Sequence, residues 1–436
     1  MFLFIALGVL TTVVGRPALK IQDPNDPLVF APGMRIGSRL QFGINVVPAD
    51  WIIAGKPSEP LTDKPGPNGY RTLELGSVKG ASSGLSEIPC TFLSSTPVIS
   101  LFSQDGKKHT FTIDTGALET YVRPEVAESL NQGSDDPFPM ALQVGDKRWL
   151  HVKVQVDRHI KILSVSGPDF PVEGIMGMNA VAAMQLKIDY RHHKIWARIG
   201  TELPQPNLFK YEFGPSAKVE SLPIEHLASG RCAIHAQIDQ HDVLLELDTG
   251  ADLLGISTQT AEELKLRKVG EGDVLVQAGA HRMSLFLPKE FAIGPHRLLF
   301  PIVHEGLSQD SGLGGIGPSR LPGHVVVLDY PALRLYTAIA TEDERVEQAL
   351  GQLISGTVAF EKDEVILDMP SILGPGRVVL LKINEHSVYE VLKLLRKLVT
   401  NPQIENQVTD LFQDLNRHGT LTIRQAGSIK TVQIGQ

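Results

Sequence analysis

Cysteine is nearly absent: Cys90 and Cys232 are the only two in 436 residues. That excludes a disulfide-rich scaffold and any four-cysteine zinc site, and leaves either one bridge or two free thiols. Basic residues are not in surplus, since 41 Lys and Arg face 49 Asp and Glu for a formal net charge of -8. Such a balance offers no basic face to nucleic acid. No stretch beyond the N-terminus approaches the roughly 18 to 20 apolar residues that a membrane span needs. What remains, 42% hydrophobic and 21% charged, is ordinary globular composition. The length exceeds what one hydrophobic core usually serves, so two or three domains are expected.

Residues 1–15 form an uncharged apolar run, too short to span a bilayer comfortably, followed by Arg16-Pro17. This reads as a signal peptide and implies a secreted or periplasmic mature chain without a stable membrane span. Lys and Arg are missing from its start, and a buried N-terminal strand is the alternative. Residues 16–85 are rich in turn signals, as in Asp23-Pro24-Asn25-Asp26-Pro27 and Lys64-Pro65-Gly66-Pro67, and read as a loop-rich extension or propeptide.

From 86 to 340 the chain repeats itself, in a first unit over 86–205 and a second over 219–340. Each unit runs strand, tight turn, strand, Asp-Thr-Gly-Ala, helix, further strands, a glycine turn, and two closing strands. The first unit carries Asp114-Thr115-Gly116-Ala117 ahead of a helical segment at 123–130. The second carries Asp248-Thr249-Gly250-Ala251 ahead of one at 258–265. Gly174-Ile175-Met176-Gly177 and Gly314-Gly315-Ile316-Gly317 occupy matching places, and each unit closes on a strand, Asp-Tyr (Asp189-Tyr190, Asp329-Tyr330) and another strand. The spacing of the aspartates, 134 residues, is enough for each copy to be a small β-lobe.

Apolar neighbours, Phe111 and Ile113 in one copy and Leu245 and Leu247 in the other, anchor each aspartate strand in a core, so the carboxylate projects from a rigid base. Gly116 and Gly250 let backbone amides approach it closely. Thr115 and Thr249 offer hydroxyls that can tie the two loops together. If Asp114 and Asp248 meet, like charges at short range cannot both ionise, and the pair becomes an acid and a base in one site. A water between them could attack a peptide carbonyl with neither metal nor other cofactor. Composition alone places one Asp-Thr-Gly in roughly one chain in ten of this length. Two in matching contexts are a different matter.

The segments Ile113 to Ala117 with Gly174 to Met178, and Leu247 to Ala251 with Gly315 to Pro318, resemble the two halves of pepsin-like and retropepsin-like aspartic proteases. The short lobes are more similar to retropepsin subunits joined in tandem. The resemblance covers about 250 residues. It implies a mainly β protein with two pseudo-symmetric, closed barrel-like lobes, a cleft between them, a flap, and Asp114 and Asp248 as the catalytic pair acting on a polypeptide substrate. Asp252 follows Ala251 as in retropepsins, where that acid holds substrate backbone, whereas the first copy has Leu118 and Glu119. Met178 and Pro318 stand where retroviral members have Arg, so lobe association must be secured in another way. Ala117 and Ala251 replace the Ser of many pepsin-like enzymes, which removes a donor to the carboxylates and implies a mildly acidic optimum. They are also expected, with Asp252, to line the substrate site. Hairpins over 142–149 and 274–283 are candidate flaps, and Trp149 could cap the cleft or simply pack.

The histidines (His192, His193, His281, His296, His304, His324) lack zinc-ligand spacing, so no metal is expected. Residues 311–317 look like a phosphate loop but lack the following Lys and Ser or Thr. After about 345 the pattern turns helix-rich, and 374–396 with the last hairpin resembles the second half of a bacterial-type PDZ domain. A small α+β PDZ-like domain over 350–436 is expected. Its carboxylate-binding glycine loop is not recognisable in 356–362, so a peptide-binding tail and a purely structural one stand as alternatives. Three readings remain open: a monomeric endopeptidase, a protease-like scaffold that captures extended peptides in its cleft and on its tail, and a homodimer in which lobes pair between chains.

Overall fold

In this computed structural model the described residues are 4–5, 35–36, 39–40, 53–54 and 85–434, the last without 94, 131, 133–136, 145–147, 158–171, 200–212, 214–216, 228–229, 252–253, 277–278, 306–313, 322, 355–356 and 369–376. The signal peptide and the 16–85 extension therefore lie almost wholly outside the described residues. Among these residues, no helix is long and apolar enough to cross a membrane.

The protein is mainly β, with two lobes built on one plan. In the first, Thr96–Ser103 turns through Gly106, whose φ of 79° suits glycine, into Lys108–Ile113. Across the sheet the order is Phe138–Val144, Arg148–Val156, Thr120–Val122, Gly174–Met176, Lys108–Ile113, Thr96–Ser103 and Cys90–Leu93. Pairing of Leu142 with Ser103 brings Phe138–Val144 back onto Thr96–Ser103 and closes the barrel. Alternating residues of Phe138–Val144 (Phe138, Met140, Leu142, Val144) are buried, which fixes this register, because a one-residue slip would turn them to solvent.

The second lobe repeats the central order, with Leu254–Ile256, Gly314–Ile316, His241–Leu247 and Cys232–Ile238 side by side. An added strand, Val303–Glu305, lies between Leu254–Ile256 and the hairpin Arg267–Val276 and Gly279–Leu287. Both expected helices form. Pro124–Ser129 begins on proline, and Thr258–Glu263 is capped by Ser257, whose hydroxyl accepts from the Thr260 amide at 3.0 Å. Both expected hairpins form as well.

The lobes meet in a six-stranded sheet, ordered Val219–Pro223, Arg334–Ala338, Val325–Asp329, Met184–Asp189, Lys194–Ile199 and Ser86–Ile88. Each lobe gives three strands, and the seam is the antiparallel pair Met184–Asp189 with Val325–Asp329. The Tyr190 amide extends the seam to the His324 carbonyl at 2.8 Å. This sheet secures the lobes without Arg at 178 or 318. Cys90 is half-buried and Cys232 buried, and both are free thiols, so the bridge alternative falls away.

The C-terminal part differs from the sequence expectation at its start. Position 350 lies inside a helix, Glu342–Ile354, rather than at a boundary. Thr341 and Glu344 cap that helix reciprocally, with the Glu344 amide 3.2 Å from the Thr341 hydroxyl and the Thr341 amide 2.8 Å from Glu344 Oε2. Its buried face (Val346, Ala349, Leu350, Leu353) belongs to a core that also takes in Val269, Leu285, Leu287, Phe300 and Ile302 of the second lobe. Phe300 meets Phe412 edge to face at 6.0 Å.

The final segments anticipated from the PDZ resemblance do form: strand Val378–Ile383, helix Val388–Thr400 with a Ser387/Glu390 capping box, and hairpin Thr420–Gln425 with Ser428–Gln433. Helix Glu342–Ile354, however, packs against both strand Thr357–Glu361 and helix Val388–Thr400. Glu347, 2% exposed, joins three parts of the chain: Arg191 of the first lobe, His324 Nε2 of the second at 2.8 Å, and the Phe360 amide of the tail.

Because the second lobe and the tail share one core, they are expected to unfold together. Leu350→Ala should cost about 2–5 kcal/mol and lower a single calorimetric transition that covers both parts. An early transition confined to the tail would contradict this.

Candidate active site

Each aspartate leaves the end of a buried strand whose position is fixed by a parallel neighbour. Phe111 and Ile113 register against Gly174 and Met176, and Leu245 and Leu247 register against Gly314 and Ile316. The Asp114 amide donates to the Met176 carbonyl and the Asp248 amide to the Ile316 carbonyl, each at 3.0 Å. The glycine turns crowd the loops that follow. A Cβ on Gly177 would fall 2.2 Å from the Glu119 carbonyl oxygen, and one on Gly317 would fall 2.0 Å from that of Ala251. Any side chain there would force the aspartate loop out of place.

Thr115 and Thr249 bind the loops across the lobe interface. The Thr115 hydroxyl donates to the Leu247 carbonyl at 2.7 Å and accepts from the Thr249 amide at 3.0 Å. The Thr249 hydroxyl donates to the Ile113 carbonyl at 2.8 Å and accepts from the Thr115 amide at 3.1 Å. Both threonines are buried, so all four bonds are shielded from water. Thr96, also buried, adds a further crossing bond to the Gly250 carbonyl at 3.2 Å.

These constraints bring Asp114 and Asp248 together. Their carboxyl groups share a hydrogen bond, and both are buried, at 1% and 8% exposure. The Gly116 amide donates to Asp114 Oδ1 at 2.9 Å and to Asp248 Oδ1 at 3.2 Å. Ala117 adds an amide to Asp114 at 3.1 Å and Gly250 one to Asp248 at 2.8 Å. A Cβ on Gly116 would lie 2.7 Å from Asp248 Oδ2, so glycine is required for this approach.

Burial, and then the charge of Asp248, hold Asp114 well above the ordinary carboxylate range. Burial also raises Asp248, opposed by the Gly250 amide, the bond to Asp114 and the charge of Arg231. Tyr330, fully buried, brings its hydroxyl beside Thr115 and Asp248.

Of the other residues singled out in the sequence, Ala117 and Ala251 lie against the aspartates they follow, their amides reaching the Asp114 and Asp248 carbonyls at 3.2 Å. Asp252 lies outside the described residues, as do both hairpin tips. Trp149 is half-buried opposite Gln143 in the first hairpin, and no bond ties it to the aspartates. Among the described residues no group of three or more His, Cys, Asp or Glu is placed to hold a metal ion.

Sequence reading missed Thr96, Arg231 and Glu246. The last had a visible signal, an acid between two buried leucines two residues before Asp248.

No family model matches the chain, and no curated protein matches it. Among solved structures it is similar to a retropepsin-like aspartic protease from Rickettsia conorii, at 22% identity and a TM-score of 0.22 over 29% of this chain and 97% of that one.

A carboxyl whose folded pKa is raised contributes stability that is complete below its unfolded value near 4 and is lost as the pH rises through the folded value. Asp114→Asn should therefore raise the thermal midpoint by about 1–3 °C near pH 7 and change it little near pH 4. Thr249→Ala, which removes two buried crossing bonds, should lower the unfolding free energy at every pH, by about 1–3 kcal/mol.

Proposed function

We propose that this protein is an aspartic endopeptidase in which Asp114 and Asp248 activate a water molecule. One observation carries the reading: two buried carboxyl groups, one from each lobe, meet at the lobe interface on a single backbone amide, that of Gly116. In the reaction, Asp248 as carboxylate takes a proton from water while the water oxygen bonds to the peptide carbonyl carbon. Asp114 gives its proton to the carbonyl oxygen, forming a tetrahedral diol. Collapse of the diol breaks the C–N bond, with one proton passing to the departing amine and another returning to the carboxyl pair. The buried setting strengthens each of these electrostatic contributions relative to water.

The pair is complete within one chain, which supports a monomer. Ala117 and Ala251 supply no side-chain donor to the carboxylates, so cleavage should be best at mildly acidic pH. Asp252 is proposed to bind substrate backbone on one side only, and Trp149 to border the cleft. The tail is proposed to be structural, since helix Glu342–Ile354 already lies against strand Thr357–Glu361 and helix Val388–Thr400. An N-terminal signal peptide would deliver the enzyme outside the cytosol.

Digestion of a mixed peptide library by the intact chain tests this reading. Asp114→Asn and Asp248→Asn should each reduce kcat by about 10³-fold or more, with the wild-type optimum between about pH 4 and 6. Full activity in either variant would rule out the shared pair, and a wild-type optimum near pH 2 would rule out the role given to the alanines.

A further inference from the structure

The two halves of the site differ directly behind the aspartates. In the second lobe Ala233 pairs with Glu246, and extending that antiparallel register two residues past the ends of the strands sets Arg231 opposite Asp248, on which its charge acts. In the first lobe Val98 pairs with Thr112, and the same extension sets Thr96 opposite Asp114. A cation and an acid therefore back Asp248 where two threonines back Asp114. Arg231 is mostly buried, and its guanidinium meets Glu246 with Nε 3.3 Å from Oε1 and Nη1 3.4 Å from Oε2.

We propose that Arg231, its charge offset in part by Glu246, is a positioning residue that keeps Asp248 the ionised member of the pair and leaves the shared proton on Asp114.

The physical argument is one of local charge. A guanidinium keeps its charge at any pH the fold survives, and in a buried setting a cation opposite a carboxylate favours the ionised form. Glu246, paired with the guanidinium, opposes this in part. Among the described residues, the other titratable groups acting on Asp248 or on its neighbour Tyr330 include Asp114, the Cys232 thiol with His226 Nδ1 at 3.9 Å from it, and the Tyr190 hydroxyl. The Cys232 thiol and the Tyr330 hydroxyl are both pushed up by burial and stay neutral. Arg231 thus sets a cation beside Asp248 where the first lobe has Thr96. The effect on catalysis rests on the endopeptidase reading, whereas the effect on titration does not.

The test is a carbon-13 titration of the intact chain labelled at the Asp carboxyl carbons. The Asp114 and Asp248 signals are assigned by their loss in Asp114→Asn and Asp248→Asn. In the wild type Asp248 should lose its proton first. Arg231→Gln should raise that midpoint by about one pH unit or more, Arg231→Lys should restore most of the difference, and Glu246→Gln should move it the opposite way. Loss of fold cannot produce opposite shifts, and Glu246→Gln with Arg231→Lys decides the matter if Arg231→Gln does not fold. In peptide cleavage, the acid limb of kcat/KM should follow the Asp248 midpoint while KM stays within about twofold.

An Asp248 midpoint that is the same in all variants, or that shifts the same way in Arg231→Gln and Glu246→Gln, overturns the proposal. Shifted midpoints with no cleavage at any pH would instead overturn the endopeptidase reading and leave the role of Arg231 in titration standing. Cleavage with unmoved midpoints would do the reverse.

Discussion

Two carboxyl groups held together away from water cannot both carry charge, and much of this architecture serves to impose that condition. Separated by a few ångströms more, or wetted, each would ionise independently at ordinary pH. The spacing is set by contacts that have no slack. The Gly116 amide touches both carboxylates, and no side chain at that position would fit. The threonine hydroxyls each bind backbone of the opposite lobe. Behind them the six-stranded sheet joins the lobes along a hydrogen-bonded seam, so the alignment of the site is inherited from strand register rather than from mobile side chains.

The repeat is legible in the residues because its physics is local. Asp-Thr-Gly at the end of an apolar strand, a helix start at proline or serine, and a glycine turn are each dictated by a few neighbouring positions. The structure places Asp114, Thr115 and Gly116 against Asp248, Thr249 and Gly250 as the duplicated pattern leads one to expect. What the residues did not disclose depends on contacts between distant segments. That Leu350 and Leu285 belong to one core, or that Glu347 gathers Arg191, His324 and Phe360, has no signature in spacing or periodicity. The fate of the two cysteines is of the same kind, since only geometry separates a bridge from a pair of thiols.

Pseudo-symmetry therefore holds for the loops around the pair and the central strands of each lobe, and breaks down in what surrounds them. The first lobe closes its barrel on itself, through Leu142 and Ser103. The second gains an extra strand and leans its hairpin against the C-terminal helices, with Gln413 and Asn416 reaching the Val269 and Glu271 carbonyls at 2.9 and 2.7 Å. Thr96 and Thr112 stand in the first lobe where Arg231 and Glu246 stand in the second. Equal motifs thus sit in unequal electrostatic settings.

The joint core of the second lobe and the tail also bears on biosynthesis. A chain made from its N-terminus can close the first barrel early, because that barrel's partners lie within its own residues. The second aspartate strand is synthesised next, but the hairpin of its lobe finds the rest of its apolar cover only in residues beyond 340, among them Leu350 and Phe412. A ribosome-bound chain stopped short of those residues would hold one finished carboxylate loop beside an unfinished one. The carboxyl pair is thus completed only once residues beyond 340 have emerged.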